Sequence, residues 1–296
     1  MQIADSTNFP EAVFLGTFED GSDEWHEIRS DGIGGSEIGT IMGLNPWESA
    51  YALWAKRTGQ IENNFTGNTA TEVGKWLEAP ILARFAEKHP ELEVFSAGTY
   101  ASKSLPFLHA NPDALARHRE TGEWFVIEAK TAKYPWESIP VHYLCQVQHY
   151  MWVMGIKRSY VVGLVGMEPF EQIVEADVFQ QEAQRDIAVK FWVHLQEYTK
   201  PAWDGSEQTY QAVRQMHPLI EDREVDLGML GLDLIHAQKA ADEAYSQLNL
   251  MKSQVLDKMG YAKSGYVQVD SGKTLKVASR QIRGGYPALI VNKKGI

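Results

Sequence analysis

The sequence predicts an α/β fold: a central mixed β-sheet flanked by helices, followed by a long helix and a β-hairpin. Helical periodicity and short apolar strands alternate along the first two thirds of the 296 residues. A heptad-like stripe and two short strands with a tight turn follow. Apolar residues make up 44% of the chain, which supports a substantial core.

The first elements predicted along the chain are helices. Residues 1–22 carry little periodicity and are expected to be a flexible acidic lead. Short helices are expected to begin near Ser36 and at Ser49, since serine is a favoured residue at a helix N-cap. Residues 69–88 form a longer helical pattern, in which Pro80 either bends the helix or marks a later start.

Strands and helices then alternate as expected for an α/β sandwich. The apolar runs predict five strands, with one helix between the third and fourth and a second helix after the fifth. The strands are expected at 92–100, 107–111, 123–130, 159–165 and 170–176, and the helices at 135–154 and 179–198.

These elements divide the chain into a core domain over residues 23–204 and an extension over residues 205–296. Apolar side chains from Leu234 to Met259 recur at spacings of three and four, which predicts one long helix. A hairpin turning at Ser271 and Gly272 is expected next. The end of the chain reads as a basic tail containing Arg280, Arg283, Lys293 and Lys294.

The charge distribution is compatible with a nucleic-acid partner despite a net charge of −11. Residues 1–31 hold eight acidic residues and one basic residue, whereas residues 98–160 hold seven basic and five acidic residues. Residues 271–296 hold six basic residues and no acidic one. An acidic body with a local basic channel can bind DNA in a salt-sensitive manner.

Several classes of protein are disfavoured by composition. The chain contains no run of eighteen apolar residues, so neither a membrane span nor a membrane partner is expected. The first residues have no basic segment before an apolar stretch, so no secretory signal is expected. The single Cys145 cannot form an intramolecular disulfide or a four-cysteine metal site. A reducing cytoplasm fits this composition.

The most informative side chains are acidic and surround one short strand. Asp113 follows Pro112, and Glu128 and Lys130 end the apolar run that begins at Trp124. Residues two apart in a strand point to the same face, so Glu128 and Lys130 project together. Charged groups at the end of a buried strand are costly unless they pair or bind something. A site for a hard cation such as Mg²⁺ is one solution, and a surface ion pair is the alternative.

This arrangement resembles the PD-(D/E)xK nucleases, and four neighbouring blocks make the resemblance more specific. In chain order these blocks are WHEIR at 25–29 with GIGGSEI at 32–38, GKWLEAPIL at 74–82, the Asp113…Glu128-Ala129-Lys130 motif, and QVQHY at 146–150. Together they look like the family of YqaJ-like viral recombination nucleases, which includes the lambda exonuclease, over residues 22–200. The resemblance implies a restriction-endonuclease-like core.

The resemblance also implies a set of metal ligands. Asp113 and Glu128 would bind divalent metal, the carbonyl of Ala129 would add an oxygen, and Glu78 would be a ligand of a second ion. The cofactor would be two Mg²⁺ ions, with Mn²⁺ as the alternative. Lys130 would orient or deprotonate the attacking water, and a free lysine needs a lowered pKa to act as a base.

Two further blocks would supply substrate contacts. The family carries a glutamine near the metals in the QVQHY helix, and both Gln146 and Gln148 are candidates; Tyr150 shares a helix face with Gln146. Arg29 and Ser36 flank a glycine pair and would take the 5′-terminal phosphate. The alternative is a capped glycine turn with a surface arginine.

The predicted function is a metal-dependent 5′-to-3′ exonuclease on linear double-stranded DNA that leaves 3′ single strands for phage-type DNA recombination. The resemblance implies a single-strand-annealing partner and a homo-oligomer, as a trimeric ring. It also implies a phage or prophage origin in a bacterial cytoplasm. Two alternatives are a nuclease acting on single strands, flaps or internal sites, and a non-catalytic module that binds DNA or a partner through the heptad-like helix.

Overall fold

The computed structural model describes residues 2–4, 6–19, 21–63, 67–269 and 272–292. It divides into two compact units, Met1–Ile220 and Glu221–Ile296. None of the helices in the described ranges is long and apolar enough to cross a membrane. The first unit holds the helices α1 Asp23–Ser30, α2 Gly35–Ile41, α3 Ala50–Arg57, α4 Thr69–Lys88, α5 Val141–Met154, α6 Val178–Gln196 and α7 Glu207–Met216.

Among the described residues of the first unit, nine strands form two sheets. The five-stranded sheet has the spatial order β3-β6-β7-β8-β9, and the four-stranded sheet has the order β1-β4-β5-β2. The strands are β1 Ala12–Gly16, β2 Ile33–Gly34, β3 Leu92–Ser96, β4 Thr99–Ser102, β5 Leu108–Ala110, β6 Ala114–His118, β7 Trp124–Ala132, β8 Arg158–Val165 and β9 Glu168–Glu175.

The five-stranded sheet is mixed, which confirms the predicted fold class. Strands β7 and β8 pair in parallel, while the other neighbours pair in antiparallel fashion. Helix α5 connects β7 to β8, as parallel neighbours require a crossover. Strand β6 was not predicted, although the turn residues Asn111, Pro112 and Asp113 separate it from β5.

Alternating side chains of β7 enter two different cores. Phe125 and Ile127 pack with α4 residues in a smaller apolar cluster, while Val126 belongs to the main core together with residues of α5. Because side chains alternate between the two faces of a strand, the faces of the later β7 residues are fixed as well. Glu128 and Lys130 follow Val126 onto the face that α5 covers.

Local caps explain where the helices begin and end. The Ser49 side chain accepts the N–H of Ala52 at the start of α3, and Asn68 accepts the N–H groups of Ala70 and Thr71 at the start of α4. Helix α4 runs through Pro80 without interruption, so the later start is excluded. Helix α2 begins at Gly35, near Ser36 as expected, but its N-cap residue is Gly34 and not a serine.

The prediction of a flexible lead over residues 1–22 was also wrong for its described residues. Strand β1 pairs with β4, and Phe9 is 2% exposed. The Phe9 ring meets the rings of Tyr100 and Trp124 at centroid distances of 5.6 and 5.0 Å. Burial of an aromatic ring and a strand pairing hold a segment whose own sequence pattern is weak.

The predicted boundary at residue 204 needs correction as well, because α7 belongs to the first unit. Helix α7 packs on α3, and the hydroxyl of Thr209 donates to the hydroxyl of Ser49 at 2.7 Å. Ala212 is 2% exposed. This one-sided helix was not recognised from the sequence, and its buried face places the end of the core after residue 216.

The second unit contains the long helix α8, Met229–Met259, and a three-stranded sheet of β10 Ser264–Gln268, β11 Thr274–Arg283 and β12 Tyr286–Val291. The long helix and the first strand pair were predicted. Strand β12 was not, and it replaces part of the expected basic tail. Gly284 and Gly285 have φ of 59° and 83°, so they form a two-residue turn of the kind that joins antiparallel strands. Ser271, Lys293 and Lys294 lie outside the described residues.

Candidate active site

Two carboxylates and an ammonium group meet where β6 begins, beside the middle of β7. The pairing of Ala114 with Ile127 sets Asp113 beside Glu128. The Asp113 Oδ2 atom accepts the N–H of Ala129 at 2.7 Å, and Lys130 Nζ donates to Glu128 Oε1. The predicted pair of Glu128 and Lys130 on one strand face is therefore present. Asp113 adds the second carboxylate.

Gln146 is the glutamine of α5 that faces this group. Its Nε2 donates to Glu128 Oε1 at 2.6 Å and contacts the Tyr150 hydroxyl at 3.0 Å. Gln148 points elsewhere: its Nε2 donates to the carbonyl of Glu175 at 2.7 Å, and its Oε1 accepts the N–H of Asp177 at 2.9 Å. The structure thus brings Gln146 and Tyr150 to the acidic group and leaves Gln148 tying α5 to the segment after β9.

Burial dominates the electrostatics of this group. Glu128 is 1% exposed, and desolvation, followed by the charge of Asp113, raises its pKa to about 8. Desolvation likewise raises the pKa of Asp113, against the opposing effect of Lys130. Desolvation acts to lower the pKa of Lys130, yet Glu128 and Asp113 together raise it. The positive charge of Lys130 therefore stabilises the ionised forms of Asp113 and Glu128, which burial disfavours.

A cleft of about 470 Å³ opens onto these side chains and collects most of the predicted site. Glu78 lines it from α4 as an exposed side chain, and its charge contributes to the raised pKa of Glu128. Arg29 and Ser36, both exposed, line it from α1 and α2. The predicted site residues that line the cleft are Arg29, Ser36, Glu78, Asp113, Glu128, Lys130, Gln146 and Tyr150, whereas Ala129 and Gln148 do not line it.

The glycine block between Arg29 and Ser36 is built for close packing. A β-carbon on Gly35 would lie 2.4 Å from Cε1 of the Tyr150 ring, so only glycine fits there. The Glu37 carboxylate accepts the N–H of Gly34 at 3.1 Å and pairs with Arg57 at 3.0 Å. The Glu37 side chain thus satisfies one N–H group at the start of α2. The Tyr150 ring, which belongs to α5, packs on Gly35 and so sets the distance between the two helices.

Three further residues that line the cleft, Lys75, Asn111 and Phe18, were not predicted as site residues. Lys75 lies one helical turn before Glu78, so its i, i−3 spacing on α4 was a usable signal. Asn111 stands two residues before Asp113 and donates from Nδ2 to the hydroxyl of Thr99. Phe18 lines the cleft from the segment after β1, where no sequence pattern pointed to it.

The donor set fits a divalent cation in chemistry. Glu128 Oε2 is buried and has no hydrogen-bond partner among the described residues, so a carboxylate oxygen is available beside Asp113. Oxygen ligands of this kind are those that Mg²⁺ prefers. Within the described ranges, however, no group of three or more His, Cys, Asp or Glu side chains is already arranged around one point as metal ligands.

Comparisons with known proteins agree with this fold. Residues 24–157 match the family model of the YqaJ-like viral recombinase domain. The chain is 26% identical over 260 residues to the YqaJ protein of Bacillus subtilis (strain 168), which covers 83% of this chain and 80% of that protein. A shorter similarity, 36% over 56 residues, joins 18% of this chain to 16% of Protein D345L of African swine fever virus (strain Badajoz 1971 Vero-adapted).

Among solved structures, the fold is similar to that of an alkaline exonuclease (LHK-Exo) from Laribacter hongkongensis. The TM-score is 0.50 at 19% identity, over 60% of this chain and 94% of that one. The similarity to that structure concerns the mixed α/β fold, which in this chain carries its acidic side chains in one cleft. Residues 24–157 are therefore similar to the YqaJ-like viral recombinase domain, as the sequence predicted.

Proposed function

We propose that this protein is a metal-dependent exonuclease that degrades linear double-stranded DNA from 5′ ends and leaves 3′ single strands for phage-type recombination. The observation that carries the proposal is the hydrogen-bonded group of Asp113, Glu128, Lys130 and Gln146 at the base of one cleft. The similarity of residues 24–157 to the YqaJ-like viral recombinase domain supports it. The fold shared with a solved exonuclease is compatible with it.

The catalytic group would act on a phosphodiester held over the two carboxylates. Asp113, Glu128, Glu78 and the Ala129 carbonyl would hold Mg²⁺ or Mn²⁺, as two ions. Bound metal would supply Lewis-acid activation of water and of the phosphate. Lys130, paired with Glu128, would orient the attacking water and place positive charge beside the reacting phosphate.

The polarity of cutting would come from Arg29 and Ser36. Both line the cleft that contains the carboxylates, and the Arg29 guanidinium lies 4.7 Å from the centroid of the Trp25 ring. A guanidinium and a hydroxyl are suitable donors to a terminal phosphate. Tyr150 joins this end of the cleft to Gln146, so a 5′-phosphate held there would set the distance to the scissile bond.

The partners of the proposed nuclease are inferred from its resemblance to the same family. We place it in the cytoplasm of a bacterial host as a phage or prophage product, acting on DNA ends beside a single-strand-annealing protein. A homo-oligomer, as a trimeric ring, is part of this proposal. Light scattering of the purified full chain tests the oligomer, and a monomer at all concentrations would contradict it.

The decisive experiment uses a linear duplex with one 5′-phosphorylated end and one blocked end, incubated with Mg²⁺ and then with EDTA. We expect Mg²⁺-dependent loss of the phosphorylated strand, with nicked and closed circles intact. Asp113→Asn should abolish cutting, and Arg29→Ala should slow 5′-phosphorylated ends more than 5′-hydroxyl ends. Cutting of closed circles or flaps would favour the other nuclease classes, and binding without cutting would favour a non-catalytic module.

A further inference from the structure

We propose that Phe18 forms the floor of a nucleobase subsite in this cleft. It would stack on the base of the 5′-terminal nucleotide, whose 3′-linked phosphate would lie at Asp113 and Glu128. The inference rests on the proposed function and deepens it, because it assigns the base contact that positions the DNA end. Its ligand is any nucleobase, since every base offers an aromatic face.

The fold holds Phe18 in the cleft by backbone packing. Strand β1 pairs with β4, and its register shifts between Phe14 and Gly16, where φ of Gly16 is 140°. A β-carbon on Gly16 would lie 3.0 Å from the Phe18 Cζ atom, so the ring rests against a residue without a side chain. The ring is therefore supported on one side and reaches the cleft on another.

A continuous wall joins Phe18 to the carboxylates. A β-carbon on Gly98 would lie 2.6 Å from the Gly16 carbonyl oxygen and 3.1 Å from Thr17 Cγ2, so the β3–β4 turn packs directly on the end of β1. The next residue after that turn, Thr99, accepts from Asn111, which stands two residues before Asp113. Thr17, Phe18, Ala97, Gly98, Thr99, Asn111 and Asp113 all line the cleft.

Phe18 is also the aromatic side chain of the cleft that is available for stacking. The Trp25 ring already faces the Arg29 guanidinium, and the Tyr150 ring is packed on Gly35 with its hydroxyl bound to Gln146. Within the described ranges, Phe18 takes part in no ring–ring or cation–π contact. A half-buried ring with an unused face beside a phosphate site is the geometry that base stacking requires.

The test compares the full-length wild type with Phe18→Leu, which keeps an apolar side chain without a π face, and Phe18→Trp, which restores one. Each protein binds a duplex carrying 2-aminopurine at the 5′-terminal nucleotide, with Ca²⁺ in place of Mg²⁺. We expect fluorescence quenching in the wild type and in Phe18→Trp, and its loss in Phe18→Leu. With Mg²⁺, the KM of Phe18→Leu should rise by about tenfold, while kcat changes far less.

Phe179→Leu is the matched control, because Phe179 is 86% exposed on α6 and does not line the cleft. Unchanged quenching and KM in Phe18→Leu would overturn the subsite. Equal losses in Phe18→Leu and Phe18→Trp would also overturn it, because they would indicate that Phe18 packs the N-terminal segment in place and does not stack on a base. If the wild type binds with Phe18-dependent quenching but never cuts, the proposed exonuclease fails while the subsite stands. If it neither quenches nor cuts, both fail.

Discussion

At the scale of residues, the site depends on a carboxylate kept in an unfavourable environment. Glu128 is almost fully buried, its pKa is raised to about 8, and one of its oxygens lacks a partner among the described residues. A buried unpaired oxygen costs about 1–3 kcal/mol, so it is a position where function outweighs stability. Lys130 and Gln146 offset part of this cost by donating to the other oxygen.

The two glutamines of α5 provide a matched pair of substitutions. Gln146→Ala removes a donor from Glu128, so we expect kcat to fall by about 10- to 100-fold, as for other residues that orient metal ligands. Gln148→Ala removes hydrogen bonds to the Glu175–Asp177 segment, so we expect a loss of about 1–3 kcal/mol in unfolding free energy with kcat of the folded protein unchanged. Denaturant unfolding and steady-state cutting of the same preparations check both. A reversed pattern would show that Gln148 serves the site.

The two glycines before Ser36 provide another pair. Gly35→Ala places a β-carbon 2.4 Å from the Tyr150 ring, so we expect a loss of about 1–3 kcal/mol from overpacking and a weakened Gln146–Tyr150 contact. Gly34→Ala meets nothing within 4 Å at a φ of −86°, which any residue adopts. Thermal unfolding and cutting rates should separate the two variants. Equal tolerance at both positions would mean that α2 and α5 are less closely packed.

At the scale of elements, α5 links the acidic group of the cleft to the rest of the fold. Gln146 and Tyr150 serve the cleft, while Gln148 and His149 tie the helix to other elements. His149 Nε2 lies 3.0 Å from the carbonyl oxygen of His109 on β5, and His149 is 2% exposed. The position of Gln146 against β7 therefore depends on contacts made on the opposite side of the same helix.

His149 makes this link sensitive to pH. Desolvation lowers its pKa from 6.5 to about 4, so the folded state disfavours the proton that the unfolded state accepts. Its neutral form is fully compatible with folding above pH 6.5, and its contribution is lost as pH falls, by about 3 kcal/mol between pH 6.5 and pH 4.

The measurement is the unfolding free energy of the wild type minus that of His149→Gln across this range. Other groups that titrate cancel in the difference, including Asp113 and Glu128, whose raised pKa values act in the opposite direction. We expect the wild type to lose stability relative to the variant as pH falls. A difference that stays flat with pH would contradict the buried neutral histidine.

At the scale of the whole molecule, every residue that lines the cleft belongs to the first unit. The second unit consists of α8 and its three-stranded sheet, and α8 has no buried residue. The chemistry should therefore reside in the first unit alone. A heptad-like apolar stripe on an exposed helix is typical of surfaces that contact other chains, which is compatible with the proposed oligomer.

Two truncations test this division. A chain ending at Ile220 should fold and retain Mg²⁺-dependent removal of the first nucleotides from a duplex end. A chain ending at Asp204 lacks α7, so Ser49 loses its partner Thr209 and the α3 core is exposed, and we expect a loss on the order of 3 kcal/mol. Circular dichroism melting and a fluorescent end-release assay compare the two. Inactivity of a folded 1–220 chain would assign the second unit a role in cutting.

The sequence by itself determined the α/β class, the long α8 helix and the pairing of Glu128 with Lys130. These follow from local periodicity: residues two apart on a strand share a face whatever surrounds them. The family resemblance added Glu78 and gave Asp113 and Glu78 the predicted role of metal ligands, because no local rule connects residues so far apart along the chain.

Only the tertiary structure shows that Gln146, and not Gln148, faces the carboxylates. It also shows that residues 12–16 form a strand and that Phe18 lines the cleft. Residues two apart on a helix point in nearly opposite directions, and both faces of α5 are buried, so its composition could not say which glutamine meets β7. Phe18 depends on two glycines, Gly16 and Gly98, whose backbones approach one another across β1 and β4. Contacts between residues about 80 positions apart are set by packing, which no local sequence pattern encodes.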